Sequence, residues 1–207
     1  MAQKPCPTVQ PMSILSRRHC LTQFAGAGLL LWAGRARAAT DFTLAGSVWE
    51  RTGAVARLDP YLLYAIGFVE SRQSRNGLLG PWPYAVRTPA ESYYPDSFMA
   101  ATRLLATLPK EQITDSDLGW MQVNVRWHGH RVPDLTHLLH PDINLRVGTG
   151  ILREALASAP GDAELAIGRY HTWADEPRGR AYGARVLSLR RDLRMLAGLR
   201  PDGPLEG

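Results

Sequence analysis

Asp59-Pro60-Tyr61-Leu62-Leu63-Tyr64-Ala65-Ile66-Gly67-Phe68-Val69-Glu70-Ser71 is the stretch on which the fold turns. Asp59 can cap free backbone amides and Pro60 suits a first helical turn, so the spacing predicts a helix over 60–71. Leu63, Ile66, Gly67 and Glu70 fall at i, i+3, i+4 and i+7, which puts a carboxylate on the apolar face. Read on this segment alone, Glu70 either ends the helix in water or is held against apolar surface. In the second case desolvation raises its pKa and keeps a proton available near neutral pH.

Outward from this helix, apolar residues keep recurring at three- and four-residue intervals and β-branched runs are scarce. Helices are expected over 42–56, 60–71, 97–108, 142–157, 162–173 and 180–198. Between Gly77 and Asp96 the texture changes to Gly80-Pro81-Trp82-Pro83-Tyr84, a turn-like Thr88-Pro89-Ala90-Glu91 and Tyr93-Tyr94, which reads as an aromatic hairpin. Pro109 stops the helix that follows. The expected fold class is therefore mainly α, a helical domain over 39–200 with a small β-hairpin lobe inserted at 78–110. The segment 201–207, with Pro201, Gly203 and Pro204, reads as a flexible tail.

Residues 1–38 have a different character. Arg17-Arg18 precede an apolar run from Ala25 to Ala33 and a small-x-small end at Ala36-Arg37-Ala38, the pattern of a removable export leader. The run is too short for a membrane-spanning helix. Ser16-Arg17-Arg18 resembles a twin-arginine signal, with Cys20 and Thr22 where Phe and Lys are usual; general secretion is the other route. Met12 offers an alternative start. The leader holds Lys4, Arg17, Arg18, Arg35 and Arg37 and no acid, so its removal leaves 19 basic residues against 19 acidic ones. A pI of 9.6 for the whole chain is then no argument for nucleic acid. Both cysteines, Cys6 and Cys20, leave with it, and an oxidising compartment would find neither thiol nor disulfide. The expected location is the periplasm.

Three further motifs follow Glu70-Ser71 in order: Gly119-Trp120-Met121-Gln122-Val123-Asn124, then Pro141-Asp142-Ile143-Asn144-Leu145-Arg146-Val147-Gly148, then Tyr170-His171. Their order resembles the soluble lytic transglycosylase family, whose members have a lysozyme-like, mainly helical fold and cleave peptidoglycan. The resemblance runs from about Leu58 to Leu187. It implies that Glu70 is a lone catalytic acid/base, with Ser71, Gln122, Asn124 and Tyr170 at the glycan groove and Tyr170 helping to hold the carboxyl. It implies no cofactor and a reaction without water. The Glu protonates the glycosidic oxygen, the acetamido group steadies the cation, and the 6-hydroxyl of muramic acid closes an anhydro ring. Trp120 replaces the family's Leu, and His171-Thr172-Trp173 replaces Asn-x-Gly. A single small domain after a leader resembles the members that open murein for secretion, pilus or conjugation machines. A hydrolytic muramidase and a catalytically idle murein-binding scaffold are the competing readings.

Asp117, just before Gly119, is the best candidate for a second carboxylate, although capping or bracing the turn ahead of Gly119 is the favoured role. Among Trp82, Tyr84, Tyr93, Tyr94, Trp120 and Trp127, one or two aromatics are expected to stack on sugar, with Trp82, Tyr84 and Tyr93 in the site and Trp127 in the core. His128, His130, His137, His140 and His171 lack a Cys or carboxylate to complete a zinc set, so no metal is expected. Arg185, Arg190, Arg191 and Arg194 read as the solvated side of the last helix, or as a contact for anionic wall polymer or a partner protein.

Overall fold

A computed structural model describes residues 42–206; the leader expected at 1–38, with Met12, Cys6 and Cys20, lies outside the described residues. The fold is mainly α with a small antiparallel β lobe, as expected. Helix α1 spans Val48–Ala56 and α2 spans Pro60–Ser71. The latter forms as predicted: the Asp59 side chain accepts a hydrogen bond from the Tyr61 amide and Pro60 occupies the first turn. Most of α2 is buried, including Leu62, Leu63, Ala65 and Ile66. A helix apolar on nearly every side belongs in the middle of a domain, and α2 packs against α1 and the last helix.

Two small sheets follow. Strands β1 (Arg72–Arg75) and β2 (Leu78–Pro81) form a hairpin whose turn, Asn76-Gly77, has φ of 49° and 77°. This is the two-residue turn that Asn-Gly favours, because both positions need the left-handed region. The expected hairpin over 77–96 is thus two separate pairings. In the second sheet β3 (Val86–Arg87) lies between β4 (Ser92–Tyr93) and β5 (Asp117–Leu118), and β5 pairs with β6 (Val123–Asn124). The lobe expected over 78–110 is therefore not closed on itself. Its central strand pairs with the strand that leads into Gly119-Trp120-Met121-Gln122, and α3 (Phe98–Thr107) and α4 (Lys110–Thr114) make the connection.

After the one-turn α5 (Val125–His128), two 3-10 turns lead to α6 (Pro141–Ser158), α7 (Ala163–His171) and α8 (Glu176–Leu196). Trp127, expected in the core, is 70% exposed. One turn of helix buries only Val125 and leaves the indole outside. His137 and His140 lie in and just after the second 3-10 turn, and His140 stacks on Phe98 at 4.1 Å between ring centroids. Among the described residues no group of three His, Cys, Asp or Glu side chains is placed to hold a metal ion, and no helix is long and apolar enough to cross a membrane.

Two sequence motifs interlock through side-chain size. Asn144 is fully buried; its Oδ1 accepts from the Met121 amide (2.8 Å), and its Nδ2 donates to the carbonyls of Leu118 (2.7 Å) and Leu138 (2.8 Å). Gly119 has φ of 76°, and a Cβ there would collide with the Asn144 amide. At Gly148, a Cβ would stand 2.5 Å from Met121 Cβ. Gly148→Ala is expected to destabilise the domain by about 1–3 kcal/mol through overpacking, read as a lowered urea midpoint. An unchanged midpoint would show that Met121 moves aside freely.

At the other end of the domain two expectations are corrected. Arg190 is 3% exposed rather than solvated; its Nε donates to Asp59 Oδ2 (2.6 Å) and its Nη2 to the carbonyls of Gly203 (2.6 Å) and Pro204 (2.7 Å). Arg194 joins the same carboxylate at 2.9 Å. The segment 201–206 is consequently docked, not frayed, with Leu205 packed on the core and its carbonyl accepting from the Asp59 amide (2.8 Å).

Candidate active site

Glu70 is the penultimate residue of α2 and only 9% exposed. Burial pushes its carboxyl from an ordinary 4.5 up to about 7; the Tyr182 hydroxyl, Arg87 and Arg185 oppose the rise, while Asp117 adds to it. The carboxyl is thus buried rather than turned to water, among polar and charged side chains, and half of it carries a proton near neutral pH. A cleft of about 150 Å³ opens on Glu70, walled by Arg87 of β3, Tyr93 and Tyr94 beside β4, and Gln122. That space is too narrow to admit even a water-sized sphere, so the cleft is closed as it stands. A ligand must therefore lie across its mouth or displace the β3–β4 pair. A larger cavity between Arg57, Arg153 and Leu205 contains none of the motif residues.

Each expected residue can now be located. Ser71 is 1% exposed, and its hydroxyl is shared between the carbonyls of Gly67 (2.9 Å) and Trp120 (2.8 Å) while accepting from the Trp82 amide (3.2 Å). It ties α2 to the Gly119 turn and is not free to touch a substrate. Gln122 lines the cleft with φ of 44°, a strained value for a non-glycine residue. Its Nε2 donates to the Gly119 carbonyl at 3.0 Å, which holds the turn closed. Asn124 donates to Asp117 Oδ1 (2.9 Å) and accepts from the Trp127 amide (3.2 Å), so both ends of its amide brace structure rather than a groove. Asp117 keeps the bracing role, yet it is half-buried, its pKa is raised by desolvation, and it acts electrostatically on Glu70.

The tyrosines exchange parts. The Tyr170 hydroxyl, expected at the carboxyl, donates instead to the Met121 carbonyl at 2.6 Å. Tyr182 of α8 faces Glu70. Its buried hydroxyl favours the charged form of Glu70 and makes no hydrogen bond to any other group among the described residues. Its ring stacks on His171, 4.7 Å between centroids and 6° from parallel. Backbone contact between α7 and α8 makes this possible: a Cβ at Gly168 would stand 2.5 Å from the Gly179 carbonyl carbon. The sequence signal for Tyr182 was present in Gly179-Arg180-Ala181-Tyr182-Gly183, small residues one turn apart around an aromatic. Arg87, whose Nη2 donates to the Glu70 carbonyl at 2.8 Å, carried no such signal.

Of the aromatics, Tyr93 lines the cleft, and Tyr94 joins it. Trp82 is committed elsewhere: its Nε1 donates to the Pro95 carbonyl (2.8 Å), the Arg75 guanidinium covers its ring at 4.2 Å, and Tyr84 packs on its edge. Trp120 packs on Trp49, with 4.8 Å between ring centroids, and this contact accounts for a large residue where the motif usually has Leu.

The arrangement suits proton donation followed by proton abstraction at one site. Tyr182→Phe removes a group that favours the charged form, so the Glu70 pKa should rise further. If activity needs protonated Glu70, kcat/KM falls as pH rises through about 7 in the wild type. In Tyr182→Phe that fall should move to higher pH, as read from the pH profile of the activity Glu70 supports; an unmoved alkaline limb would remove Tyr182 from this role. No known protein family, curated protein or solved structure matches this chain.

Proposed function

We propose that this protein is an exported lytic transglycosylase that cleaves the MurNAc-GlcNAc β-1,4 bond of peptidoglycan and leaves 1,6-anhydro-muropeptides. The observation that carries the proposal is Glu70: a buried carboxyl at a cleft, poised near pH 7, on the helix that begins the ordered motifs. A proton donor to a glycosidic oxygen needs a pKa close to the working pH, and burial supplies it. The same carboxyl, once ionised, takes the proton of the sugar 6-hydroxyl as the anhydro ring closes. Tyr182 and Arg87 then steady the negative charge. The leader pattern supports action in the periplasm, on glycan strands near an envelope-spanning secretion, pilus or conjugation machine.

Asp117 favours one alternative. Paired carboxyl groups are the usual equipment of hydrolytic glycosidases, and Asp117 is within electrostatic reach of Glu70. Its oxygen is held by Asn124, which suits a brace better than a base. Mass analysis of murein digested by the wild-type protein separates the two. Anhydro-muramyl products are expected; products with reducing ends would make the protein a muramidase, and no soluble product at any pH would make it a binding protein.

A further inference from the structure

One side of the Glu70 cleft is a fixed frame and the other is a strap. Glu70 stands near the end of α2, and the Gln122 side chain is held by the Gly119 carbonyl. Strand β3 lies inside its sheet with Val86 buried, and the Arg87 guanidinium is tied to the Glu70 carbonyl at 2.8 Å. Ser92, Tyr93 and Tyr94, which complete the wall, belong to the edge strand β4 and the residue after it. This strand pairs with β3 over two residues only, Val86 with Tyr93 and Arg87 with Ser92. The strap runs from the exposed turn Pro89-Ala90-Glu91 to Ser97, whose side chain caps α3. So short an edge strand, between a turn and a helix start, is the part of a sheet that detaches most readily.

What holds the strap down comes from the chain that continues α2. The Arg75 guanidinium, at the end of β1, pairs with the Asp96 carboxylate and donates to the Tyr94 carbonyl at 3.4 Å. It lies over the Trp82 ring at 4.2 Å, and Trp82 Nε1 donates to the Pro95 carbonyl at 2.8 Å. Trp82 is itself anchored, because its amide donates to the Ser71 carbonyl (3.0 Å) and hydroxyl (3.2 Å). Three successive residues, Tyr94, Pro95 and Asp96, are thus fastened through Arg75 and Trp82. The fastening is weak where it meets water: the Arg75 and Asp96 side chains are 40% and 74% exposed. An exposed ion pair contributes little and is screened by salt.

We propose that segment 92–96 is a latched lid: Arg75 and Trp82 hold it over Glu70, the resting protein is closed to glycan, and release of the latch opens the cleft. As a control on glycan cleavage the inference rests on the reading above, whereas the lid itself is a property of the fold. With Tyr93 and Tyr94 down, no saccharide reaches the Glu70 carboxyl. The fraction of molecules with the lid raised then sets the apparent affinity.

Two variants of the full chain loosen the latch without changing the cleft wall. Asp96→Asn removes the ion pair and leaves Ser97 to cap α3, and Trp82→Phe removes the donor to Pro95. Glu154→Gln, which loses an exposed ion pair with Arg131 that has no part in the strap, is the control. Access to Glu70 is read without substrate, as the rate at which a water-soluble carbodiimide modifies its carboxyl, mapped by peptide mass analysis. Asp96→Asn should speed modification about two- to fivefold, the equivalent of one exposed ion pair, and Trp82→Phe at least as much. About 1 M salt, where screening acts over roughly 3 Å, should act on the wild type in the same direction. The control should keep the wild-type rate. Release of soluble muropeptides from murein should rise in proportion in the two latch variants. Unchanged modification in both of them, or an equal rise in the control, overturns the lid and leaves the cleavage reading standing. Faster modification without faster release, in a protein that does cleave murein, overturns the lid's control over activity. Faster modification with no cleavage by any form, wild type included, overturns the cleavage reading while the lid stands.

Discussion

Glu70→Gln is expected to lower glycan cleavage by about 10²–10⁴-fold, the range for loss of a positioned acid/base, and at the same time to stabilise the protein above neutral pH. The second effect follows from the pKa of about 7 in the folded state against 4.5 for an ordinary Glu. Between those values the native state binds more protons than the unfolded state, so stability falls as pH rises through the window. Below about pH 4 the carboxyl is neutral in both states and costs nothing. Above about pH 8 the native protein holds a buried charge at a cost of about 3 kcal/mol. The uncharged amide escapes that cost. Thermal unfolding at about pH 8 should therefore show a higher Tm for the variant, with the difference closing near pH 4. Wild-type cleavage rates in the variant would end the catalytic assignment, and a Tm difference independent of pH would end the electrostatic one.

Asp59→Ala should have the largest effect on stability, about 3–5 kcal/mol, because it leaves the buried Arg190 guanidinium without its counter-charge. The same carboxylate also receives Arg194 and the Tyr61 amide, so an ion-pair network and the cap of α2 are lost together. Removing both charges should be gentler: Asp59→Ala with Arg190→Met ought to recover part of the loss, since no buried charge is then unpaired. The docked segment should also loosen, because Arg190 holds the carbonyls of Gly203 and Pro204. Denaturant midpoints of the single and double variants, with limited proteolysis mapping cuts after residue 200, check both parts. A single variant as stable as wild type would show the pair to be energetically idle.

Much of this is legible along the chain and some is not. Signals that act within one or two turns were readable: α2 begins at Asp59-Pro60 and ends at Ser71 as its cap and spacing require. The β1–β2 turn was readable in principle from Asn76-Gly77, but Arg72-Gln73-Ser74-Arg75 lacks the β-branched alternation that marks a strand. Trp127 misled because size argues for burial only where an element is long enough to have an inner face. The motif glycines were visible as letters, whereas their reason, close approach to Asn144 and Met121, is a matter of packing.

The sequence by itself determined a mainly helical domain, the central helix, and Glu70 on its apolar face, since periodicity and capping are local properties of a chain. Tertiary structure decided which groups surround that carboxyl. Tyr182 rather than Tyr170 faces it, because Gly168 and Gly179 let α7 and α8 touch backbone to backbone and bring His171 onto the Tyr182 ring. Arg190 became a buried partner of Asp59, 131 residues away, while Arg178 and Arg185 on the same helix stayed exposed. A charge by itself favours water, and only a counter-charge brought by a distant segment lets it be buried, so local neighbours do not reveal which arginine will be.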